Sequence, residues 1–199
     1  MRTTGDRVDR NAPARERILL TAHELFYREG IRATGIDRLI LEAGVTKVTF
    51  YRHFPSKNDL ICAFLEHRHR RWMDWFVEAL GRHGSGVDAL SSALAEWFND
   101  PGFRGCAFIN SVGELGGVVP EVLEISRRHK KDVVGVVAGH LPPSRRRLQE
   151  AHALCVAMDG AIVRATFDES PESALLAFKT IAHSLFRPGR PPARRRGMQ

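Results

Sequence analysis

The side chains with the most varied chemistry crowd between Thr46 and His53, where Thr46, Lys47, Thr49, Arg52 and His53 stand close together with Val48 among them. Hydroxyls, an ammonium, a guanidinium and an imidazole on one short element can hold phosphate oxygens and reach base edges in a nucleic-acid groove. Catalytic chemistry finds less to work with. His67 and His69 are two apart, so a helix puts them on different sides, unlike the i, i+4 pair that grips zinc. The sequence contains no C-x-x-C, phosphate-binding glycine loop, G-x-S-x-G or H-E-x-x-H. Cys106 near Asn110 would act as a nucleophile only with a histidine brought beside it. No catalytic residue, metal ligand or cofactor is therefore assigned, and an enzyme with a helical body is the weaker alternative. Cys62, Cys106 and Cys155 are odd in number and sit in apolar contexts, which fits reduced, buried thiols better than a disulfide framework.

The elements that must position these groups read as helices throughout. Strand-type alternation is nearly absent, and 43% apolar residues are enough for a core. Ile18, Leu19, Ala22, Leu25 and Phe26 form an amphipathic stripe that stops at Gly30, and Ile36, Leu39, Ile40 and Ala43 form another before Gly44. Thr34 is placed to cap the second helix and Thr46 a third that runs to about His53. Ser56 and Asp59 have capping-box spacing at the start of a long fourth helix, whose stripe of Leu60, Ile61, Phe64, Leu65, Trp72, Phe76 and Leu80 points to an end at Gly81. Gly- and Pro-rich breaks beyond it leave five more segments, hence nine helices and an all-α fold. Ala43-Gly44-Val45 makes the second and third helices a helix-turn-helix, its glycine suited to a left-handed backbone and Val45 and Phe50 locking the crossing.

Charge follows the same division. The whole chain carries +7, but residues 1–57 hold eleven basic and seven acidic groups, residues 58–186 fourteen and sixteen, and residues 187–199 five arginines and no acid. A basic head on a slightly acidic body is what phosphate binding asks for. The tail RPGRPPARRRGMQ reads as disordered, and residues 1–14, with Arg2, Arg7 and Arg10 beside Asp6 and Asp9, as a flexible arm, a minor-groove contact being the alternative. No apolar run is long enough to span a bilayer and the N-terminus has no hydrophobic signal region, so a cytoplasmic protein without membrane contact is expected.

The stretches GIRAT and AGVTKVTFYRHFPSK, across about residues 15–65, resemble the tetracycline-repressor (TetR) family. The resemblance implies a three-helix DNA-binding head (residues 15–57), a ligand-binding and dimerisation body (residues 58–186), and a ligand-responsive regulator, read as a repressor. It also implies roles by residue. Thr34 and Thr46 would bond phosphates at helix starts, Tyr51 and His53 through hydroxyl and ring N–H, and Lys57 from the start of the fourth helix. Lys47 and Thr49 would face the major groove, with Arg52 on a base edge or a phosphate. Phe50 and Phe54 belong to the core of the head. Val48 stands where the family often has glycine, so a branched side chain would meet the DNA, and Gly35 replaces the more usual Ser or Thr. The alternatives from another class are a TetR-like protein adaptor and a head that binds DNA without sequence preference.

In the body, Trp72, Phe76, Trp97, Phe103, Phe108 and Met158 are the expected lining for a small lipophilic effector, with core filling as the alternative. Asn110 and Glu114 are four apart on one helix face; facing inward they would orient the ligand, facing outward they would be surface. His129 lies among Arg127, Arg128, Lys130 and Lys131 and reads as part of a solvated basic face. The last two helices, the first of them spanning about Ser144–Phe167, carry apolar residues on more than one side. TetR-like dimers pair such helices as a four-helix bundle, so Ala151, Leu154, Ala161, Phe178, Ile181 and Leu185 are expected at a homodimer interface. Two heads related by a two-fold axis would read a palindromic operator in double-stranded DNA.

Overall fold

A computed structural model of the chain describes residues 11–186. The expected arm falls outside them up to position 10, and so does the whole basic tail. Among the described residues there are nine helices and no strands: α1 (Ala14–Glu29), α2 (Ile36–Ala43), α3 (Lys47–His53), α4 (Lys57–His83), α5 (Gly86–Phe98), α6 (Ala107–Leu115), α7 (Pro120–His140), α8 (Arg147–Arg164) and α9 (Glu172–Leu185). None is long and apolar enough to cross a membrane.

The head is α1, α2 and α3 closed over the first turns of α4. Ile18, Ala22, Leu25 and Phe26 meet Leu39, Ala43, Phe50 and Phe54, and Phe26 packs edge-on against Phe64 of α4 at 5.5 Å. Gly44 takes φ 61°, and its N–H closes onto Ile40 and Leu41, turning the chain between α2 and α3. Thr46 caps α3 by accepting from the Thr49 N–H at 3.1 Å, and Ser56 and Asp59 form the expected reciprocal box. A fully buried Phe50 stabilises by about 1.5–3 kcal/mol, more than the roughly 1 kcal/mol of a cap. The core therefore fixes the crossing of α2 and α3, and the caps define their ends.

Thr34 departs from expectation. The N-cap of α2 is Gly35, which contributes no side-chain bond, while Thr34 is fully buried and its hydroxyl donates to the Gly30 carbonyl at 2.8 Å. One residue too early for the cap, the side chain turns back into the α1–α2 connection. The end of α4 also differs, because the helix runs through Gly81 to His83 and stops at Gly84, φ 94°. Gly81 faces open space, and a helical glycine costs only about 1 kcal/mol, too little to stop a long helix.

At 27 residues α4 is roughly 40 Å long and joins head to body. The body is a ring in which α4 packs on α7, α7 on α8, α8 on α9, α9 on α5 and α5 back on α4, with α6 laid across α7. In α8 the inward side is Ala151, Leu154, Met158, Ala161 and Ile162, leaving Val156 (73% exposed) and Val163 outside, with Phe167 (75%) exposed in the turn that follows. In α9, Ala174, Phe178 and Ala182 face in while Leu176, Ile181 and Leu185 face out. Of the six residues expected between copies, Ala151, Leu154, Ala161 and Phe178 are already buried within one chain and have no surface to offer another; Ile181 and Leu185 do.

Candidate nucleic-acid interface and the cavity beneath it

The turn at Gly44 directs the N-terminal end of α3 outward, and the positions between its core contacts form the surface. Lys47, Val48, Tyr51 and Arg52 are exposed, Thr49 and His53 half-buried, and Phe50 and Phe54 sealed inside. The Tyr51 ring leans edge-on against Phe50 at 5.4 Å, so its hydroxyl end is held outward by the core. Thr46 and Thr49 share a hydroxyl contact of 2.9 Å at the helix start. Two other cations of the head are balanced by acids: Arg28 pairs with Glu24 and Glu29, and Arg38 with Glu29 and Glu42. Hydrogen bonds from Arg38, and then Arg28, hold the Glu29 carboxyl down at about 2. Lys47 and Arg52 are in no ion pair among the described residues. These two cations thus place exposed positive charge on α3 with no acid paired to it.

Two residues expected to contact phosphate are occupied within the protein. Thr34 is buried as described above. Lys57 is half-buried, its Nζ donating to the Ile31 carbonyl at 2.6 Å and lying 5.9 Å above the Phe26 ring. Burial lowers its pKa, with Glu114 opposing.

Glu114 explains this arrangement. Although placed among expected ligand contacts, its carboxylate reaches from α6 into the head and accepts from the Ile31 N–H at 3.2 Å and the Arg32 N–H at 2.8 Å. Gly30, at φ 94°, leaves room for it, since a Cβ there would stand 3.3 Å from Glu114 Oε1. The α1–α2 connection is therefore held by a carboxylate of the body and the ammonium of Lys57. Asn110 is exposed and donates to the Arg104 carbonyl at 3.0 Å.

Inside the body, α4, α5, α6, α7 and α8 line a partly open cavity of about 170 Å³. Trp72, Trp97, Phe108 and Met158, four of the expected lining residues, border it; Phe76, Phe103, Asn110 and Glu114 do not. Phe76 stacks behind Trp72 at 4.6 Å, and Phe103 packs on Trp97 and Phe98. The same wall contains groups that the sequence reading left out, including Arg68, Cys106, His129, Lys130 and Asp159. His129 is buried, not solvated. Its ring stacks on Phe108 at 3.7 Å and its Nδ1 lies 3.1 Å from His69 Nδ1. Burial first, then neighbouring Lys130, presses its pKa down to about 2, so the ring is neutral. Burial alone would lower the Lys130 pKa, but Cys106 and the bonded Asp159 carboxylate outweigh it and raise it. Arg68 was legible in principle, because a guanidinium interrupts the apolar series Ile61, Phe64, Leu65, Trp72 and Phe76 on the buried side of α4. A charge at a core position of an amphipathic helix signals a site or a buried pair. No group of three or more metal-ligating side chains occurs among the described residues.

Comparison with known proteins agrees with the geometry. The family model TetR_N, described as bacterial regulatory proteins of the tetR family, matches residues 18–64, the head and the start of α4. A TetR-family transcriptional regulator of Streptomyces coelicolor has a similar structure at TM-score 0.76 and 31% identity, over 86% of this chain and 87% of that one. The reduced form of NemR from E. coli is similar in fold at TM-score 0.72 and 24% identity, over 85% of this chain and 97% of that one. The transcriptional activator FasR of Mycolicibacterium smegmatis is 30% identical over 95 residues, 48% of this chain but only 43% of that protein.

Proposed function

Because the chain belongs to the TetR family of DNA-binding transcriptional regulators, and is not an enzyme, we propose that it is a repressor whose paired heads grip a palindromic operator and let go when a small effector enters the body cavity. The observation that carries this reading is the exposed, unbalanced face of α3. Lys47, Val48, Tyr51 and Arg52 project from a helix whose other side is fixed in the core, and groove readout requires donors held rigidly in this way. Thr46, Thr49 and His53 complete the contact surface from its edges. Thr34 and Lys57 shape the head from within.

Homodimerisation is supported by the outer sides of α8 and α9 and the turn between them, where Val156, Val163, Phe167, Leu176, Ile181 and Leu185 leave apolar surface uncovered. Exposed apolar side chains gathered on the last two helices favour burial against a second copy. Residues 15–57 form the DNA-binding unit in this reading, and residues 58–186 the effector and dimer unit.

The effector acts through α4 and α6. Both border the cavity, and both hold the head, α4 by continuity and α6 through Glu114. An effector that binds better when α6 is displaced lowers the affinity for DNA by the same factor that DNA lowers the affinity for it. Electrophoretic and anisotropy titrations against the DNA upstream of the protein's own gene, with a shuffled duplex as competitor, test the proposal. We expect preferential retention of the native duplex and its loss in a Lys47→Ala, Tyr51→Ala, Arg52→Ala variant that keeps its helical circular dichroism. Retention by the triple variant would overturn the assignment of α3. A promoter-reporter assay decides the sign of control, and increased transcription on binding would mark an activator, as the M. smegmatis relative is named.

A further inference from the structure

The cavity's unused hydrogen-bonding capacity lies in donors. Three buried nitrogens of its lining residues have no partner: Nη2 of Arg68 and the indole Nε1 of Trp72 and of Trp97. Each unfilled N–H of this kind costs roughly 1–3 kcal/mol, more for a charged group. The carboxylate in the wall, that of Asp159, is bonded to Lys130 through Oδ1. Arg68 is 1% exposed, and no carboxylate bonds it. Its contacts are the His23 ring, with Nη1 3.5 Å from Nε2, and the Tyr27 ring, 3.9 Å below its Cζ. His23 and His129 bring no charge of either sign, since burial holds both pKa values down at about 2. With Lys130 and Asp159 cancelling at its partly open side, the site retains one buried positive charge, and a guanidinium does not shed its proton.

Shape restricts the occupant further. About 170 Å³ walled by Trp72, Trp97, Phe108, Met158 and Ile162 is room for one aromatic ring and a short substituent, since an apolar cavity of about 150 Å³ admits benzene. A wider groove between α6, α7 and α8 shares Phe108, Lys130, Val134 and His152 with the cavity and carries Arg127 and Lys131 at its rim, a positive entrance. Resting on the effector reading above, we propose that the cavity takes a small aromatic carboxylate, its ring between Trp72, Trp97 and Phe108 and its carboxylate accepting from Arg68 and the two indole N–H groups. Two carboxylate oxygens supply the acceptors that all three orphaned donors lack, and their charge neutralises the buried guanidinium. Since Arg68 also touches His23 and Tyr27 on α1, the same ion pair competes with a contact that holds the head.

Isothermal titration of the full chain without DNA tests this, using benzoate and phenylacetate against benzamide and phenylacetamide, which match them in shape but carry no charge. The acids should bind at least about tenfold more tightly than the amides, equivalent to about 1.4 kcal/mol. Arg68→Met should abolish that preference while leaving amide affinity within a few-fold. Trp72→Phe, which removes the N–H and keeps a ring, should weaken the acids more than the amides, since a charged acceptor gains more from the lost donor. The wild-type comparison decides even if the Arg68 variant fails to fold. Amides binding as tightly as acids would overturn the carboxylate inference and leave the cavity standing as an effector site. Failure of both acids to bind overturns it whatever the amides do. Operator retention by the same preparation, measured without ligand, keeps either result separate from a failure of the DNA-binding reading.

Discussion

Thr46 illustrates what a single residue contributes at the surface of the head. Its hydroxyl accepts from the Thr49 N–H and meets the Thr49 hydroxyl, tying down the first turn of a helix only seven residues long. So short a helix has little stability of its own and depends on its cap and on Phe50. Thr46→Ala should cost about 1 kcal/mol of unfolding free energy and weaken DNA binding more than that loss of stability explains, because Lys47 and Val48 lose their fixed direction. Urea unfolding and anisotropy on the same variant check this, and a full loss of stability with unchanged DNA affinity would show that α3 keeps its form without the cap. This cap and the Ser56–Asp59 box were readable because their partners lie three residues away. Thr34 was misread because its place is decided by burial under Gly30. The partners of Arg68 and Glu114 were out of reach for a related reason, even though Arg68 itself stood out on the buried stripe of α4: they are 45 and 82 or 83 residues distant, and no local spacing encodes such a meeting.

The elements themselves were largely legible, since glycine and proline breaks separated nine apolar periodicities, and nine helices form among the described residues. Which side of α8 faces inward was not. Apolar residues occur around much of its circumference, and only the packing of α7 and α9 on it selects Leu154 and Met158 over Val156 and Val163. The junction between head and body turns on α6, whose N-terminal half lines the cavity with Ala107 and Phe108 while its C-terminal half sends Glu114 into the head. Displacing one end of so short a rigid element moves the other. Glu114→Gln keeps one acceptor oxygen but replaces the other with a donor, leaving Ile31 or Arg32 N–H unbonded at a cost on the order of 1 kcal/mol. Faster hydrogen exchange at those two amides is expected, with the Leu154 amide in α8 unchanged. A Glu114→Gln protein with unaltered protection at Ile31 and Arg32 would mean that the connection is held by Lys57 and the Gly30 turn alone.

For the whole molecule, charge and burial act at different places. The +7 of the full chain overstates the part that matters, since five of those charges lie in residues 187–199 and acids on α1 and α2 balance Arg28 and Arg38, while Lys47 and Arg52 on α3 stay exposed. Inside, the opposite problem arises, because the protein encloses imidazoles that it keeps uncharged. His23 and His129 are pressed from 6.5 to about 2, mainly by burial and then by Arg68 and Lys130 respectively. Below pH 6.5 the unfolded chain binds protons on these rings and the folded chain does not, so stability falls as pH drops and is level above about pH 7.5. Each histidine contributes a slope of at most about 1.4 kcal/mol per pH unit. Glu29 and Glu96, both held down at about 2 from 4.5 by arginine partners, lose their stabilising charge in a lower window, from 4.5 downward. Between pH 6.5 and 4.5 the histidines therefore act without them. Urea unfolding at intervals across that range should show a steady decline in the wild-type protein, and His129→Gln, which keeps a polar group facing His69, should remove about half of the slope. An unchanged slope in the variant would mean that His129 takes up its proton in the fold and that the cavity wall admits charge after all.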